Sequence, residues 1–317
     1  MNIMNEKSPK LALGTWSWGV GAVGGDEIFG NHLGEKELKP VFDAARKHNL
    51  ILWDTAAVYG MGASESVLGS FVKGCNEKVL LSTKFTPQIA GDSSNPLADM
   101  LEESLQRLGT DSIDIYWIHN PADVEKWTPF LIPLVKSGKV KRVGVSNHNL
   151  VQIRRAEEIL TKENVHITAV QNHYSLLYRS SEKAGILDYC NEHNIEFFAY
   201  MVLEQGALSG KYNMENPLPG ESQRAQTYNP ILKELQVLLS IMRKIGNRYQ
   251  LSVPQVAIAW AIAKGTTPII GVTKVSHVEE AAKAAAVTLH ADDITELEYA
   301  AEAAGVDTKG SWENPMV

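Results

Sequence analysis

Short apolar runs alternate with longer amphipathic stretches along most of this 317-residue chain. The short runs are rich in β-branched and aromatic residues and indicate buried strands, whereas the longer stretches repeat their apolar positions at helical spacing. The predicted strands are 11–14, 51–54, 79–84, 113–119, 140–147, 168–171, 196–200 and 267–271. The predicted helices are 35–48, 64–71, 96–108, 128–137, 150–162, 185–193, 231–249, 253–264, 275–285 and 292–304.

Strands that alternate with helices predict a parallel sheet, and eight such units in a chain of this length predict a closed (β/α)8 TIM barrel with an additional C-terminal helix. No break in composition marks a linker, so we expect residues 1–317 to form one barrel domain. A doubly wound, two-domain α/β protein is the alternative. The glycine motif GxGxxG at 19–24 supports that alternative only weakly, because no helical period follows it until Glu35.

Composition narrows the class of protein. Hydrophobic residues make up 44% of the chain and charged residues 21%, as in ordinary globular proteins. The net charge of −7 and the lack of a basic patch argue against a nucleic-acid partner. The two cysteines, Cys75 and Cys190, are too few for a disulfide framework. No apolar run reaches the ~20 residues of a membrane span. We therefore expect a cytoplasmic protein without a membrane partner, and no metal site is predicted.

Polar, aromatic or glycine residues end seven of the predicted strands. These residues are Asp54, Lys84, His119, Ser146 with Asn147, Gln171, Tyr200 and Gly271. In a (β/α)8 barrel the C-terminal ends of the strands meet at one rim, where active sites are built. One polar residue at a strand end is commonly a helix cap, but seven around one rim predict a functional pocket.

Four residues at this rim, Asp54, Tyr59, Lys84 and His119, suit proton transfer. A phenol has a pKa near 10, and we expect the Lys84 ammonium to lower the pKa of Tyr59 while Asp54 keeps the lysine charged. His119 would hydrogen-bond the same substrate oxygen. The group would then act as a general acid toward an oxygen that gains negative charge, and as a base in reverse. Taken singly, each residue has an ordinary explanation, such as a solvated lysine or a core histidine.

The motifs around these residues are similar to those of the aldo-keto reductases over essentially the whole chain. They are LGTW at 13–16, WDTAAVYG at 53–60, STK at 82–84, DIYWIH at 114–119, GVSN at 144–147, QNHYSLLYR at 171–179 and QGALSGKY at 205–212. The resemblance implies that Asp54, Tyr59, Lys84 and His119 form the catalytic tetrad, with Tyr59 as the proton donor.

The resemblance also implies a nicotinamide cofactor, NADP(H), with NAD(H) not excluded. Ser146, Asn147 and Gln171 would bind the carboxamide, and Tyr200 would stack on the ring. The remaining residues implied for the cofactor are Leu203, Gln205, Gly206, Lys211 and Arg224 around the pyrophosphate, Gly271, Thr273, Lys274, His277 and Glu280 around the adenosine, and also Thr15, Trp16 and Asp54.

Two positions depart from the family pattern near the adenosine. His277 stands where relatives usually carry arginine or glutamine, and Ala281 replaces an asparagine that often reads adenine. Lys274 would meet a 2′-phosphate, which favours NADP. On the substrate side, a small carbonyl compound is expected against an aromatic wall. We predict this wall from Trp16, Trp18, Trp117 and His173 with the loops 19–34 and 121–127.

The function favoured by these residues is the reduction of aldehydes or ketones to alcohols by hydride transfer. Two alternatives remain open. Lys84 beside an aspartate could form a Schiff base, as in an aldolase. The same barrel also serves, in channel-associated relatives, as a regulatory subunit that binds the nucleotide and turns over slowly. The sequence does not decide the oligomeric state.

Overall fold

Eight parallel strands form a closed barrel in the computed structural model, which describes residues 9–220 and 222–316. Each strand pairs with its neighbours in chain order, and β8 pairs with β1 to close the sheet. The strands are β1 Ala12–Gly14, β2 Leu52–Asp54, β3 Leu80–Phe85, β4 Ile113–Ile118, β5 Val140–Ser146, β6 Ile167–His173, β7 Glu196–Tyr200 and β8 Thr267–Gly271. The predicted (β/α)8 fold is confirmed, and the doubly wound alternative is wrong.

Helices surround the barrel. They are α1 Gly25–Phe29, α2 Glu35–Lys47, α3 Ala63–Val72, α4 Pro96–Leu108, α5 Val124–Trp127, α6 Leu131–Lys136, α7 Leu150–Thr161, α8 Ser180–Lys183, α9 Ile186–Glu192, α10 Gln223–Tyr228, α11 Gln236–Tyr249, α12 Val253–Ala263, α13 Val275–Ala285 and α14 Ala291–Ala303. None of the helices among the described residues is both long and apolar enough to cross a bilayer.

Helix α4 shows how local sequence sets these boundaries. Asn95 caps its first turn by accepting a hydrogen bond from the backbone N–H of Ala98 at 3.2 Å, and Pro96 occupies the first helical position. The helix ends at Gly109, whose φ of 68° is left-handed and favours glycine. All three signals are readable in the sequence, and the predicted bounds of this helix are correct.

Four short helices, α1, α5, α8 and α10, were not predicted, because four to six residues are too few to show a helical period. The expectation that no helix follows the glycine motif before Glu35 is therefore wrong, since α1 begins at Gly25. The helix predicted over 128–137 begins later, because 128–130 form a 3-10 turn and α6 begins only at Leu131. The helix predicted from Ile231 begins at Gln236.

Two buried clusters fill the molecule. The larger lies between the strands and the surrounding helices, and the smaller occupies the barrel interior, formed by Ala12, Leu52, Ile115, Trp117, Ala169 and Phe198. Gly144 makes room for the Trp117 indole, because a Cβ at that position would lie 2.3 Å from the ring. This packed interior closes the barrel below its C-terminal rim, so the rim is a cleft with a solid floor.

Candidate active site

A cleft of about 1160 Å³ crosses the C-terminal rim of the barrel. The predicted site residues that line it are Thr15, Trp16, Asp54, Tyr59, His119, Ser146, Asn147, Gln171, Tyr200, Leu203, Gln205, Gly206, Lys211, Arg224, Gly271, Thr273, Lys274, His277 and Glu280. Lys84 is the exception, because its side chain is fully buried beneath the floor. The structure thus brings the whole predicted set to one place.

Lys84 and Asp54 form a buried ion pair under this floor. Lys84 Nζ lies 2.6 Å from Asp54 Oδ2, donates to the carbonyl oxygen of Thr55 at 2.8 Å, and lies 3.4 Å from the Tyr59 hydroxyl. The other Asp54 oxygen accepts from Ser82 Oγ at 2.7 Å and from Gln171 Nε2 at 3.2 Å. Neighbouring strands therefore hold the ammonium directly behind the phenol that faces the cleft.

Lys84 has the protonation state expected from the sequence, but the pKa of Tyr59 does not shift in the expected direction. Burial by itself lowers the pKa of Lys84, but Asp54 and Tyr59 raise it above its usual value, so the ammonium stays charged. Burial raises the pKa of Tyr59, and Lys84 offsets only part of that effect. The expected lowering of the Tyr59 pKa is wrong, because sequence alone does not reveal how strongly the site is desolvated.

His119 follows β4 and faces Tyr59, with ring centroids 5.9 Å apart in an edge-on arrangement. Its Nδ1 lies 2.9 Å from Thr86 Oγ1. Burial, with a smaller contribution from Lys84, holds the pKa of His119 well below its usual value, so the imidazole is neutral near pH 7. If the Thr86 hydroxyl donates to Nδ1, then Nε2 carries the proton and can donate to a ligand beside Tyr59.

A polar platform lies next to these groups. Asn147, at the end of β5, has a left-handed backbone with φ of 62°, which asparagine tolerates better than most residues. Its Nδ2 donates to the carbonyl oxygen of His119 at 2.9 Å, and its Oδ1 accepts from the Tyr200 hydroxyl at 2.5 Å. Ser146 and Gln171 complete the platform. Tyr200 thus presents a ring to the cleft whose hydroxyl is fixed at the back.

The far part of the cleft is a groove with basic side chains. The turn Glu204–Ser209 after β7 contains two successive residues, Gln205 and Gly206, with φ of 49° and 103°. The carbonyl oxygen of Gln205 accepts from Arg224 Nη1 at 3.2 Å. The start of α13 lines the same cleft, and this helix begins after Lys274 without a side-chain cap or an acidic residue in its first turn. Such a helix N-terminus favours an anion.

His277 lies in the first turn of α13. Its Nδ1 lies 3.3 Å from the backbone N–H of Thr273, which makes that ring nitrogen an acceptor. Burial and the nearby Lys274 lower the pKa of His277 below its usual value. The remaining ring nitrogen, Nε2, is then the donor that His277 can offer to a ligand in the groove.

An aromatic wall borders Tyr59 on the outer side. The Trp16 ring stacks on Tyr59 with centroids 5.8 Å apart and meets Phe29 edge-on at 5.3 Å. Trp312 meets Trp16 edge-on at 6.1 Å. Trp16 was expected in this wall, and Phe29 belongs to the predicted 19–34 loop. The segment that follows α14, here called the 305–316 segment, was missed, because it has no periodic pattern to place it.

Three residues expected in the wall lie elsewhere. The Trp18 indole is buried and donates to the carbonyl oxygen of Val272 at 2.6 Å. Trp117 fills the barrel interior and donates to Ser82 Oγ at 2.6 Å. His173 is buried behind Tyr200. None of the 121–127 loop lines the cleft, since Trp127 packs inward against Phe85. Trp18 and Trp127 pack into the buried core, whereas Trp117 and His173 lie on strands whose register directs their side chains away from the cleft.

The chain is similar to known proteins in both sequence and fold. A model described as the aldo/keto reductase family matches residues 10–302. The chain is 32% identical over 308 residues to a chloroplastic pyridoxal reductase of Arabidopsis thaliana, an alignment that covers 92% of this chain and 83% of the relative. It is 30% identical over 309 residues to the NADP(+) aldo-keto reductase yakc of Schizosaccharomyces pombe, covering 91% and 89%.

Solved structures share the fold of this chain. An aldo-keto reductase from Klebsiella pneumoniae in complex with NADPH superposes with a TM-score of 0.72 at 25% identity, covering 92% of this chain and 90% of that one. A glycerol dehydrogenase from Gluconobacter oxydans gives a TM-score of 0.79 at 23% identity and 95% coverage of each chain, which shows the shared fold. On the family match and the sequence relatives together, the chain belongs to the aldo/keto reductase family.

Proposed function

We propose that this protein reduces aldehydes or ketones to alcohols with NADPH, and that Tyr59 donates the proton. The observation that carries the proposal is the position of the Tyr59 hydroxyl. It faces the cleft with a charged lysine 3.4 Å behind it and a neutral histidine ring beside it. Hydrogen-bond donors and a positive charge placed in this way stabilise a carbonyl oxygen as it gains negative charge.

The residues of the cleft fit the cofactor. The polar platform offers amide and hydroxyl groups for a carboxamide beside the Tyr200 ring. Arg224 Nε is buried and has no hydrogen-bond partner among the described residues, which suits an anionic ligand in the groove. Lys274 and the uncapped start of α13 lie at the groove's end, where a 2′-phosphate would be held. When bound, the dinucleotide would supply the hydride.

The protein's own part in the chemistry is to hold the carbonyl and move one proton. His119 and Tyr59 would both hydrogen-bond the substrate oxygen, which orients the carbonyl carbon toward the platform. As that oxygen becomes an alkoxide, the Tyr59 O–H bond breaks and the proton passes to it, because an alkoxide is a stronger base than a phenolate. Lys84 stabilises the resulting phenolate. The raised pKa of Tyr59 keeps the phenol protonated at neutral pH, as reduction requires.

The structure argues against a Schiff-base mechanism. A lysine nucleophile must be neutral and reachable, whereas Lys84 is fully buried and paired with Asp54 at 2.6 Å. Its pKa is raised rather than lowered. No feature of the described residues specifically favours a regulatory role, so carbonyl reduction is the function we retain.

Activity is tested with purified protein, NADPH and a panel of carbonyl compounds. The panel includes 4-nitrobenzaldehyde, because of the aromatic wall, and pyridoxal, because one relative is named for its reduction. We expect NADPH consumption matched by formation of the alcohol. With NADPH deuterated at the transferring position, the label should appear on the alcohol carbon. A panel without any turnover would contradict the proposal.

We also propose a cytoplasmic location and no nucleic-acid partner. Both cysteines, Cys75 and Cys190, are free, which suits a reducing compartment. The net charge of −7 gives no electrostatic attraction to a polyanion. Fractionation of cells that express the tagged full-length protein tests the location. Recovery in a membrane or organelle fraction would contradict it.

A further inference from the structure

A buried ionic cluster lies behind Tyr200, on the side away from the cleft. Its centre is His173, the last residue of β6, whose Nδ1 lies 2.8 Å from Glu313 Oε1 and whose Nε2 lies 3.0 Å from Glu204 Oε1. Both ring nitrogens meet carboxylate oxygens, so both carry protons and the ring is an imidazolium. Burial by itself lowers the pKa of His173, but Glu204 and Glu313 raise it to about 9.

This cluster contacts Tyr200 at two points. The His173 ring stacks against the Tyr200 ring with centroids 5.6 Å apart and an interplanar angle of 26°. The Tyr178 ring also stacks on the His173 ring, with centroids 4.3 Å apart. The Tyr200 hydroxyl lies 3.2 Å from Glu313 Oε1. A charged ring therefore supports Tyr200 from behind, and a carboxylate limits the swing of its hydroxyl.

Glu313 reaches this place from the 305–316 segment, more than one hundred residues after Tyr200. Its neighbour Trp312 lies against Trp16 in the aromatic wall. Glu313 Oε1 makes the contacts with both His173 and Tyr200. The other carboxylate oxygen, Oε2, has no hydrogen-bond partner among the described residues. An incompletely satisfied buried carboxylate is a poor choice for stability alone, because an apolar residue would fill the space without a desolvation cost.

We propose that Glu313 is a positioning residue of the reaction, which acts with His173 to hold the Tyr200 ring and so joins the 305–316 segment to the nicotinamide end of the cleft. The inference rests on the proposed function, since Tyr200 is taken as the surface on which the nicotinamide stacks. Glu313 would contact neither substrate nor cofactor, but it would determine how accurately the nicotinamide ring is placed relative to the substrate carbonyl.

The charge on His173 makes this cluster sensitive to pH above neutrality. The groups that face His173 are Glu204, Glu313, Tyr178 and Tyr200, and Tyr228 contacts Glu204 from α10. Burial raises the pKa of each of these three tyrosines, as it does for Tyr59, so His173 is the first of the groups to lose a proton. The cluster is intact below pH about 9 and loses one contact above it.

Glu313→Gln in the full chain is the direct test. The substitution keeps the shape and removes the charge. We expect NADPH binding and kcat to fall roughly 10- to 100-fold, as a small misplacement of a reacting group does. Binding of 2′,5′-ADP, which lacks the nicotinamide, should not change. The fall in kcat at alkaline pH should move to lower pH, because His173 has lost one stabilising carboxylate.

Ser175→Ala is the matched control. The Ser175 hydroxyl donates to Glu204 at the opposite end of the same cluster and does not contact Tyr200. We expect this variant to lose thermal stability but to keep its NADPH affinity, kcat and pH profile. Tyr200→Phe is the second variant, because it removes the hydroxyl that contacts Glu313, together with its hydrogen bond to Asn147, and leaves the buried charges in place. Its effect on kcat and that of Glu313→Gln should not add in the double variant.

The outcomes distinguish a failure of the proposed function from a failure of the role proposed for Glu313. Wild-type protein that neither binds nor oxidises NADPH would overturn both the function and this inference. If the wild type is active but Glu313→Gln behaves as Ser175→Ala does, or weakens NADPH and 2′,5′-ADP equally, Glu313 has a structural role only and the inference is wrong. The inference is supported if Glu313→Gln weakens the binding of NADPH but not of 2′,5′-ADP, and if the fall in kcat at alkaline pH moves to lower pH.

Discussion

The ammonium of Lys84 lies 2.6 Å from the carboxylate of Asp54, and neither side chain is more than 5% exposed to solvent. A buried pair of this kind costs desolvation energy that a hydrophobic pair would not, so stability alone does not account for it. Its position directly behind the Tyr59 hydroxyl does account for it, because the proton donor needs a fixed positive charge at that place.

Breaking this pair should be costly. We expect Asp54→Asn to lower the free energy of unfolding by about 3–5 kcal/mol, because it leaves the Lys84 charge buried without its partner. Urea unfolding at pH 7 measures the change. The double variant Asp54→Asn with Lys84→Met should recover most of that stability yet remain inactive. A double variant with wild-type turnover would show that the pair serves the fold and not the chemistry.

Cofactor preference should depend on Lys274. We expect Lys274→Ala to weaken NADPH roughly 10- to 150-fold, the size of a charge-assisted contact to phosphate, and to leave NADH unchanged. Lys283→Ala, at the other end of the same helix and outside the cleft, is the control. Fluorescence titration of both cofactors gives the affinities. Equal affinity of the wild type for NADPH and NADH would show that Lys274 does not bind the 2′-phosphate.

Removing the outermost aromatic ring should change substrate selection. Trp312 is half exposed and contacts Trp16 beside Tyr59. We expect Trp312→Ala to raise KM for 4-nitrobenzaldehyde about 2- to 10-fold, the worth of one aromatic contact, and to leave KM for a small aliphatic aldehyde nearly constant. Steady-state kinetics with both substrates measure the split. An equal rise for both would place Trp312 outside the substrate wall.

Acid should destabilise the protein through its buried neutral histidines. Burial lowers the pKa of His148 to about 4 and holds that of His119 well below its usual value. The unfolded chain takes up these protons below pH about 6.5 while the folded one does not, so stability falls as the pH drops from 6.5 toward 4. His173 does not contribute there, since it is protonated in both states.

His148→Asn isolates one of these histidines. Between pH 6 and pH 5 the decline in the free energy of unfolding should be less steep by up to about 1.4 kcal/mol per pH unit, which is one proton's worth. Urea unfolding at several pH values measures both slopes. Above pH 7 the difference between the two proteins should be constant. Parallel curves across the acid range would mean that His148 takes up its proton in the folded state as well.

Much of this architecture follows from periodicity and one rule of barrel geometry. The strands at 196–200 and 267–271 were predicted with correct bounds, because each is a short β-rich run that follows a clear helical period. Once the barrel is closed, the ends of its strands must meet, and that places Asp54, His119 and Tyr200 around one cleft.

Features that depend on distant contacts were not predictable in this way. Glu313 joins the site through His173 and Tyr200, which are over one hundred residues away in the sequence. Trp117 and His173 carry the residue types of an aromatic wall, but strand register turns them inward. The raised pKa of Tyr59 depends on how completely the surrounding residues exclude water. Periodicity carries no information about any of these.

The central claim is that the Tyr59 hydroxyl supplies the proton in carbonyl reduction. The most direct measurement is the rate of NADPH oxidation by 4-nitrobenzaldehyde in a single turnover, for the wild type and Tyr59→Phe, with NADPH affinity determined on the same samples. We predict a rate lower by roughly 10²- to 10⁴-fold in the variant and an affinity within about twofold of the wild type. A variant that oxidises NADPH at the wild-type rate would contradict the claim.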